Sequence, residues 1–147
     1  MTGAREYPER PAVGVGGVVI SKGRVLLVRR GHAPSEGEWS IPGGLLEVGE
    51  TLVEGVRREL QEETGIRVKV FEVIDVFERI SLDGEGKTQY HFVVLDYFCE
   101  AAEGEARPGS DVTEVEWVAE KDVDGFSLTA AVKQVIRKAF QIARSRE

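Results

Sequence analysis

Residues Gly44–Ile66 read G-L-L-E-V-G-E-T-L-V-E-G-V-R-R-E-L-Q-E-E-T-G-I. Thr51 and Glu54 have the spacing of a capping box, which starts a helix. Val53, Val56 and Leu60 recur as its apolar stripe. Gly65 stands where such a helix stops. Glu59, Glu62 and Glu63 are spaced i, i+3 and i+4, so a helix carries all three on one face within about one turn. Like charges at that spacing repel by a few tenths of a kcal/mol per pair. A cation removes the conflict, and oxygen-only ligands suit Mg²⁺ or Mn²⁺. The segment therefore predicts a helix that anchors to a sheet by its stripe and turns its carboxylates to a cleft. Those carboxylates would hold divalent metal for chemistry on an anionic substrate.

On the N-terminal side, Val13–Ile20 is an apolar run of strand length. Its Gly14, Gly16 and Gly17 invite a dinucleotide-binding reading, but the third glycine of that fingerprint is absent and no helical pattern follows. Ser21–Gly23 turns the chain into a second strand, Val25–Arg30, giving a hairpin. Gly31–Glu38 is a polar loop, and Trp39–Ile41 is a short extended piece. On the C-terminal side, two long β-rich runs, 68–80 and 88–100, flank the turn Asp83–Gly86 and read as a long hairpin. Glu103–Asp111 is a polar loop, and Glu114–Val118 is a further strand. A closing helix from Thr129 to about Arg144 buries Val132, Val135, Ile136, Ala139 and Phe140. This order predicts an α/β fold, a mixed sheet with one helix against each face. Residues 1–11, punctuated by Pro8 and Pro11, read as a flexible or loosely docked arm, and residues 12–147 as one domain.

The chain has 147 residues, 41% of them hydrophobic and 31% charged, which is ordinary for a soluble globular protein. No apolar run approaches the roughly 20 residues needed to span a bilayer, and the polar N-terminus lacks a signal-peptide core. The single cysteine, Cys99, forms no internal disulfide, and a cytoplasmic location is the default expectation. With 19 basic against 26 acidic residues the net charge is −7. That argues against a sequence-independent nucleic-acid binder, which needs a basic footprint. It also makes bound metal the simplest way to attract an anionic substrate.

The central segment resembles the signature of the Nudix hydrolase family: Gly44, Glu50, Arg58, Glu59, Leu60, Glu62, Glu63, Gly65 and Ile66 fill its fixed positions. The flanks Gly16–Ile20, Val25–Arg30, Glu38–Gly44 and Glu114–Val118 resemble the family in the same order. The resemblance implies an α/β/α sandwich and Mg²⁺-dependent cleavage of a pyrophosphate bond. The substrate class it implies is a nucleoside diphosphate linked to another moiety, with ADP-ribose preferred. Oxidised or ordinary nucleoside triphosphates are the alternative, and a nucleotide sensor without turnover is a third reading. Several ADP-ribose-cleaving relatives carry a proline about 16 residues past the signature; Leu82 stands there.

In the family the glutamates matching Glu59, Glu62 and Glu63 bind the metals, two or more ions, and the carbonyl of Gly43 or Gly44 offers another oxygen. Glu62 joins or bridges Glu59 and Glu63. Glu50 and Arg58 are expected to form a charge-assisted pair that ties loop to helix and orients the ligands. A general base comes from the signature itself or from a later loop. Glu114 leads outside it, with Asp111 and Glu116 as alternatives. Arg29 or Arg30 is expected to clamp a substrate phosphate, and Gly43 to let backbone approach the ligand. His32 and His91 read as rim or packing residues, Trp39 and Trp117 as core or rim packing. Tyr90, Phe92, Val94 and Phe98 share one strand face and read as core. The expected partner is a small nucleotide, with neither nucleic acid nor membrane, and a homodimer is compatible with the reading.

Overall fold

The computed structural model describes residues 6–31 and 35–147. They form seven strands and two α-helices. The strands are β1 (Ala12–Ser21), β2 (Arg24–Arg30), β3 (Trp39–Ser40), β4 (Gly43–Leu45), β5 (Arg67–Leu82), β6 (Thr88–Glu103) and β7 (Val112–Ala119). The helices are α1 (Leu52–Thr64) and α2 (Ala130–Ser145), with a 3₁₀ segment at Glu120–Gly125.

The spine of the sheet runs β3-β2-β1-β6-β5. β1 and β6 are parallel over Ala12–Ile20; the other pairings are antiparallel, so the sheet is mixed. The β1–β2 hairpin stays paired only beside its turn, at Ile20–Val25 and Ser21–Arg24. Beyond that the strands part. Gly14–Gly16 of β1 pair with β4, while β2 pairs with β7 and, at Val28 and Arg29, with β3. A wedge opens between them, and it becomes the cleft described below.

Alternation along β1 assigns the two faces. Val18 and Ile20 look one way, into a core with Leu27, Phe98 and the α2 residues Val135, Ile136, Ala139 and Phe140. Val15 and Val19 look the other way, onto Val56 and Leu60 of α1. One helix thus covers each face, as the sequence predicts. The α1 stripe differs by one position. Leu52 and Val53 are both half-buried, but it is Leu52 that packs against the cluster of Val56 and Leu60. Leu52 and Val56 are i, i+4 neighbours, so they share the sheet-facing side more closely than Val53 does.

Local signals decide the ends of α1. The Thr51 hydroxyl accepts from the Glu54 N–H at 3.1 Å, and Gly65 closes the helix at φ +73°, where a side chain would be strained. Two elements were not legible. β4 falls where the sequence reads as a glycine loop, and its residues extend because they pair with β1. The 3₁₀ segment after β7 has no side-chain cap to announce it. The described part of the N-terminal arm docks on the β5–β6 hairpin. Tyr7 N–H donates to the Gln89 carbonyl and its hydroxyl to Asp83, both at 2.8 Å. No helix among the described residues is long and apolar enough to cross a membrane.

Candidate functional site

The wedge between β1 and β2 is a cavity of about 590 Å³. Gly43 and Glu63 form one part of its wall, Arg30 and Asp111 another, and Trp39, Phe77 and Tyr90 contribute aromatic surface.

Helix α1 presents its acidic side where β4 passes. Glu59 and Glu63 are buried, at 6% and 7% exposure, although both are ionisable. A side chain on Gly44 would run into the Glu59 carboxylate, so the glycine makes the space that carboxylate occupies. The Gly43 N–H donates to Glu63 Oε1 at 3.0 Å. Even so, burial pushes Glu63 up to about 7, and the charge of Glu59 adds to the effect. Burial also raises Glu59, against the opposing pull of Arg58. Two desolvated carboxylates on adjacent turns are an unstable pair without a cation.

Arg58 supplies part of the missing charge. Its Nε donates to Glu50 Oε2 at 2.6 Å and its Nη2 to Glu50 Oε1 at 2.9 Å, a two-pronged pair. Nη1 reaches Glu59 at 2.8 Å and Glu62 at 3.3 Å, and Nη2 also donates to the Leu45 carbonyl at 2.9 Å. One guanidinium thus ties the loop after β4 to α1. These hydrogen bonds hold Glu50 below the usual carboxylate range and Arg58 well above its ordinary value.

The donor set fits a hard divalent cation: buried carboxylate oxygens of Glu59 and Glu63, the half-exposed Glu62, and backbone carbonyls of a glycine strand. Among the described residues no three acidic, histidine or cysteine side chains converge on one point. Mg²⁺ commonly takes only one or two protein carboxylates and keeps several waters.

The other expected residues separate into two groups. Arg30 is half-buried in the cavity wall, where desolvation lowers its ordinarily high pKa. Asp111 lines the same wall. Arg29 and Glu114 face each other across β2 and β7 in an exposed ion pair at 2.7 Å, and Arg29 Nε also donates to the Gly37 carbonyl. Neither lines the cavity. Trp39 lines it while packing edge-on against Phe126 at 5.1 Å. Trp117 packs on the α1 side, His91 is half-buried on β6, and His32 lies outside the described residues. Phe98 is fully buried, and Phe92 and Val94 are buried as expected while also lining the cavity; Tyr90 lines it and is only half-buried. Among the cavity residues that sequence reasoning missed are Arg79 and Asp96. For Asp96 a signal existed: it interrupts an otherwise apolar alternation along β6.

The family model described as NUDIX domain matches residues 8–140. The chain belongs to the Nudix hydrolase family. An ADP-ribose pyrophosphatase of Methanocaldococcus jannaschii is 35% identical over 107 residues, 73% of this chain and 61% of that protein, so the match spans under two thirds of that relative. Among solved structures, a MutT Nudix hydrolase from Burkholderia pseudomallei superposes with a TM-score of 0.77 at 31% identity, covering 88% of this chain and 98% of that one. The Nudix domain of Shewanella oneidensis NrtR, solved with ADP ribose, superposes at 0.71 with 25% identity, over 95% and 90%. The mixed sheet between two helices is the Nudix fold.

The buried glutamates make stability depend on pH and metal. Glu63 has an ordinary pKa of 4.5 and sits at about 7 in the folded protein. The folded state therefore holds its proton more tightly, and its contribution to stability is lost as pH rises through that window. In chelator, the melting temperature of the parent is expected to fall relative to Glu63→Gln between about pH 4.5 and 7. Adding Mg²⁺ or Mn²⁺ at pH 7.5 should raise the melting temperature of the parent and much less that of the variant, because metal binding the native state stabilises it. Parallel pH curves and equal metal shifts, at constant ionic strength, would remove Glu63 from the site.

Proposed function

We propose that this Nudix protein hydrolyses a pyrophosphate bond in a nucleoside diphosphate joined to a second moiety, with ADP-ribose the preferred substrate and Mg²⁺ the cofactor. The observation that carries the reading is the buried Glu63 in the wall of a cavity large enough for a nucleotide, with the buried Glu59 one turn before it on α1. The archaeal relative named as an ADP-ribose pyrophosphatase and the Nudix domain solved with ADP ribose support the substrate choice.

Glu59, Glu62, Glu63 and the Gly44 carbonyl are the oxygens that would hold the cations. A divalent ion there supplies Lewis acidity toward the phosphoryl oxygens and lowers the pKa of water. The chain's own residues do the rest. Arg58 keeps Glu59 and Glu62 oriented from behind, and Glu50 anchors Arg58. The Gly43 N–H fixes one oxygen of Glu63, a residue of the cavity wall. Arg30 places positive charge in the same wall, where it can meet a substrate phosphate.

Glu114 is the proposed proton acceptor outside α1. Its carboxylate is taken up by Arg29 in this structure, so the role requires that pair to open when substrate binds; loose geometry without substrate does not disqualify a base. Glu114→Gln should lower kcat by about 10²-fold with little change in KM. The acidic limb of the pH–rate profile should vanish with it. An unchanged rate and profile hands the role to Asp111 or to the α1 glutamates.

The reading itself is tested by following phosphate products from ADP-ribose, other nucleoside diphosphate derivatives and nucleoside triphosphates, with and without Mg²⁺. Mg²⁺-dependent release of AMP from ADP-ribose at the highest kcat/KM is the expected result. Preference for triphosphates would replace the substrate, and no turnover on any of them would leave a binding module.

A further inference from the structure

The face of β6 that looks toward α2 runs Phe92, Val94, Asp96, Phe98. Asp96 is only 3% exposed. It is a wall residue of the cavity, and Gly16 stands opposite it in the parallel β1 register. A Cβ on Gly16 would fall 2.5 Å from Asp96 Oδ1, so glycine there makes room for the carboxyl. Among the described residues the Asp96 side chain makes no hydrogen bond or ion pair. Its partner across the β5–β6 register is another acid, Asp75, whose own charge is taken by Lys138 at 3.0 Å.

Such a group opposes folding. Burial pushes Asp96 up to about 7, and the Asp75 charge adds to it. A buried polar side chain without an internal partner is uncommon in native proteins, and an apolar residue would suit this strand face better. Its surroundings suggest what it meets. Phe92 and Val94 precede it on the same face of β6, Tyr90 stacks with Phe92 at an interplanar angle of 17°, and Trp39 and Phe77 also line the cavity. Flat aromatic surface in the same cavity as a buried hydrogen-bonding group without an internal partner suits a planar heterocycle with a polar edge.

We propose that Asp96 determines specificity for the base of the substrate, its carboxyl accepting a hydrogen bond from the exocyclic amino group of an adenine-type purine lying in the aromatic part of the cavity. This rests on the nucleotide reading above. A site that hydrogen-bonds one substrate group rejects analogues lacking it, because its own buried polar atom is left unpaired.

Binding of AMP and of purine riboside 5′-monophosphate, which differ only in the amino group, tests this by calorimetry without any need for turnover. The parent should bind AMP at least about tenfold more tightly than the analogue. Asp96→Ala should bring the two within about threefold by weakening AMP alone, and Asp96→Asn, whose amide oxygen still accepts, should keep the preference. Gly16→Ala displaces the carboxyl without deleting it and should copy Asp96→Ala, which covers the case where the latter folds poorly. Equal binding of both nucleotides by the parent, no binding of AMP, or an undiminished preference in both Asp96→Ala and Gly16→Ala overturns the assignment. Hydrolysis is read separately. A protein that prefers AMP but never cleaves ADP-ribose with Mg²⁺ loses the hydrolase reading and keeps Asp96 as base reader; one that cleaves ADP-ribose but binds both nucleotides equally loses only Asp96.

Discussion

Glu63→Gln is expected to lower turnover at saturating Mg²⁺ by at least about a hundredfold, close to 3 kcal/mol of transition-state stabilisation. The side chain sits in the cavity wall at 7% exposure, with one oxygen fixed by the Gly43 N–H at 3.0 Å. Glutamine preserves the shape and can keep the Gly43 hydrogen bond through its amide oxygen. What it removes is the negative charge. A hard cation gains little from an amide where it had a carboxylate, and substrate phosphates lose their counter-ion with it. The fold should not suffer. Burial already disfavours the charged form of Glu63, so a neutral amide leaves the metal-free melting temperature near neutral pH unchanged or higher. Rate and melting temperature must therefore be measured together. A variant within about threefold of the parent rate, with an unchanged melting curve, would detach this residue from the chemistry.

What made Glu63 legible was spacing. A helix converts i, i+3, i+4 into one face, and Thr51 and Gly65 mark the ends of that helix in residue types that have few other uses in those positions. The same logic recovered α2 and the long β5–β6 hairpin, because their period and turn chemistry are local. β4 was not recoverable this way. Gly43 and Gly44 carry no strand propensity, and they are extended because β1 lies beside them. The division of the two arginines was equally out of reach. Arg29 and Arg30 are adjacent, so they must point to opposite sides of β2. Which side faces the cavity depends on where β1 and β2 part and on the irregular register with β7 between these two residues. Asp96 shows a different limit. Its place in the alternation was visible, yet that it opens on a cavity and not on the core follows only from the splay of distant strands.

Arg58→Met is expected to cost up to about 3–5 kcal/mol of stability, the range found when one partner of a buried ion pair is removed, with the 23% exposure of the Arg58 side chain placing it toward the low end. For a chain of this size that is a fall of roughly 6–20 °C in melting temperature. The size follows from what is left behind. Glu50 and Glu59 have side chains 11% and 8% exposed, and both lose their only cationic neighbour among the described residues. The Leu45 carbonyl loses a donor as well. Arg58→Lys should recover only part of the loss, since one ammonium cannot grip Glu50 with two prongs and reach Glu59 at the same time. A double-mutant cycle with Glu50→Met should return a coupling above about 1 kcal/mol. The distinguishing result concerns metal. In the parent, Arg58 shares Glu59 and Glu62 with any cation that α1 holds. Without the guanidinium those carboxylates lean more heavily on the cation, so Mg²⁺ should raise the melting temperature of Arg58→Met by more degrees than it raises the parent. A purely structural arginine, remote from the metal site, would lower both melting temperatures by the same amount and leave the Mg²⁺ increment untouched.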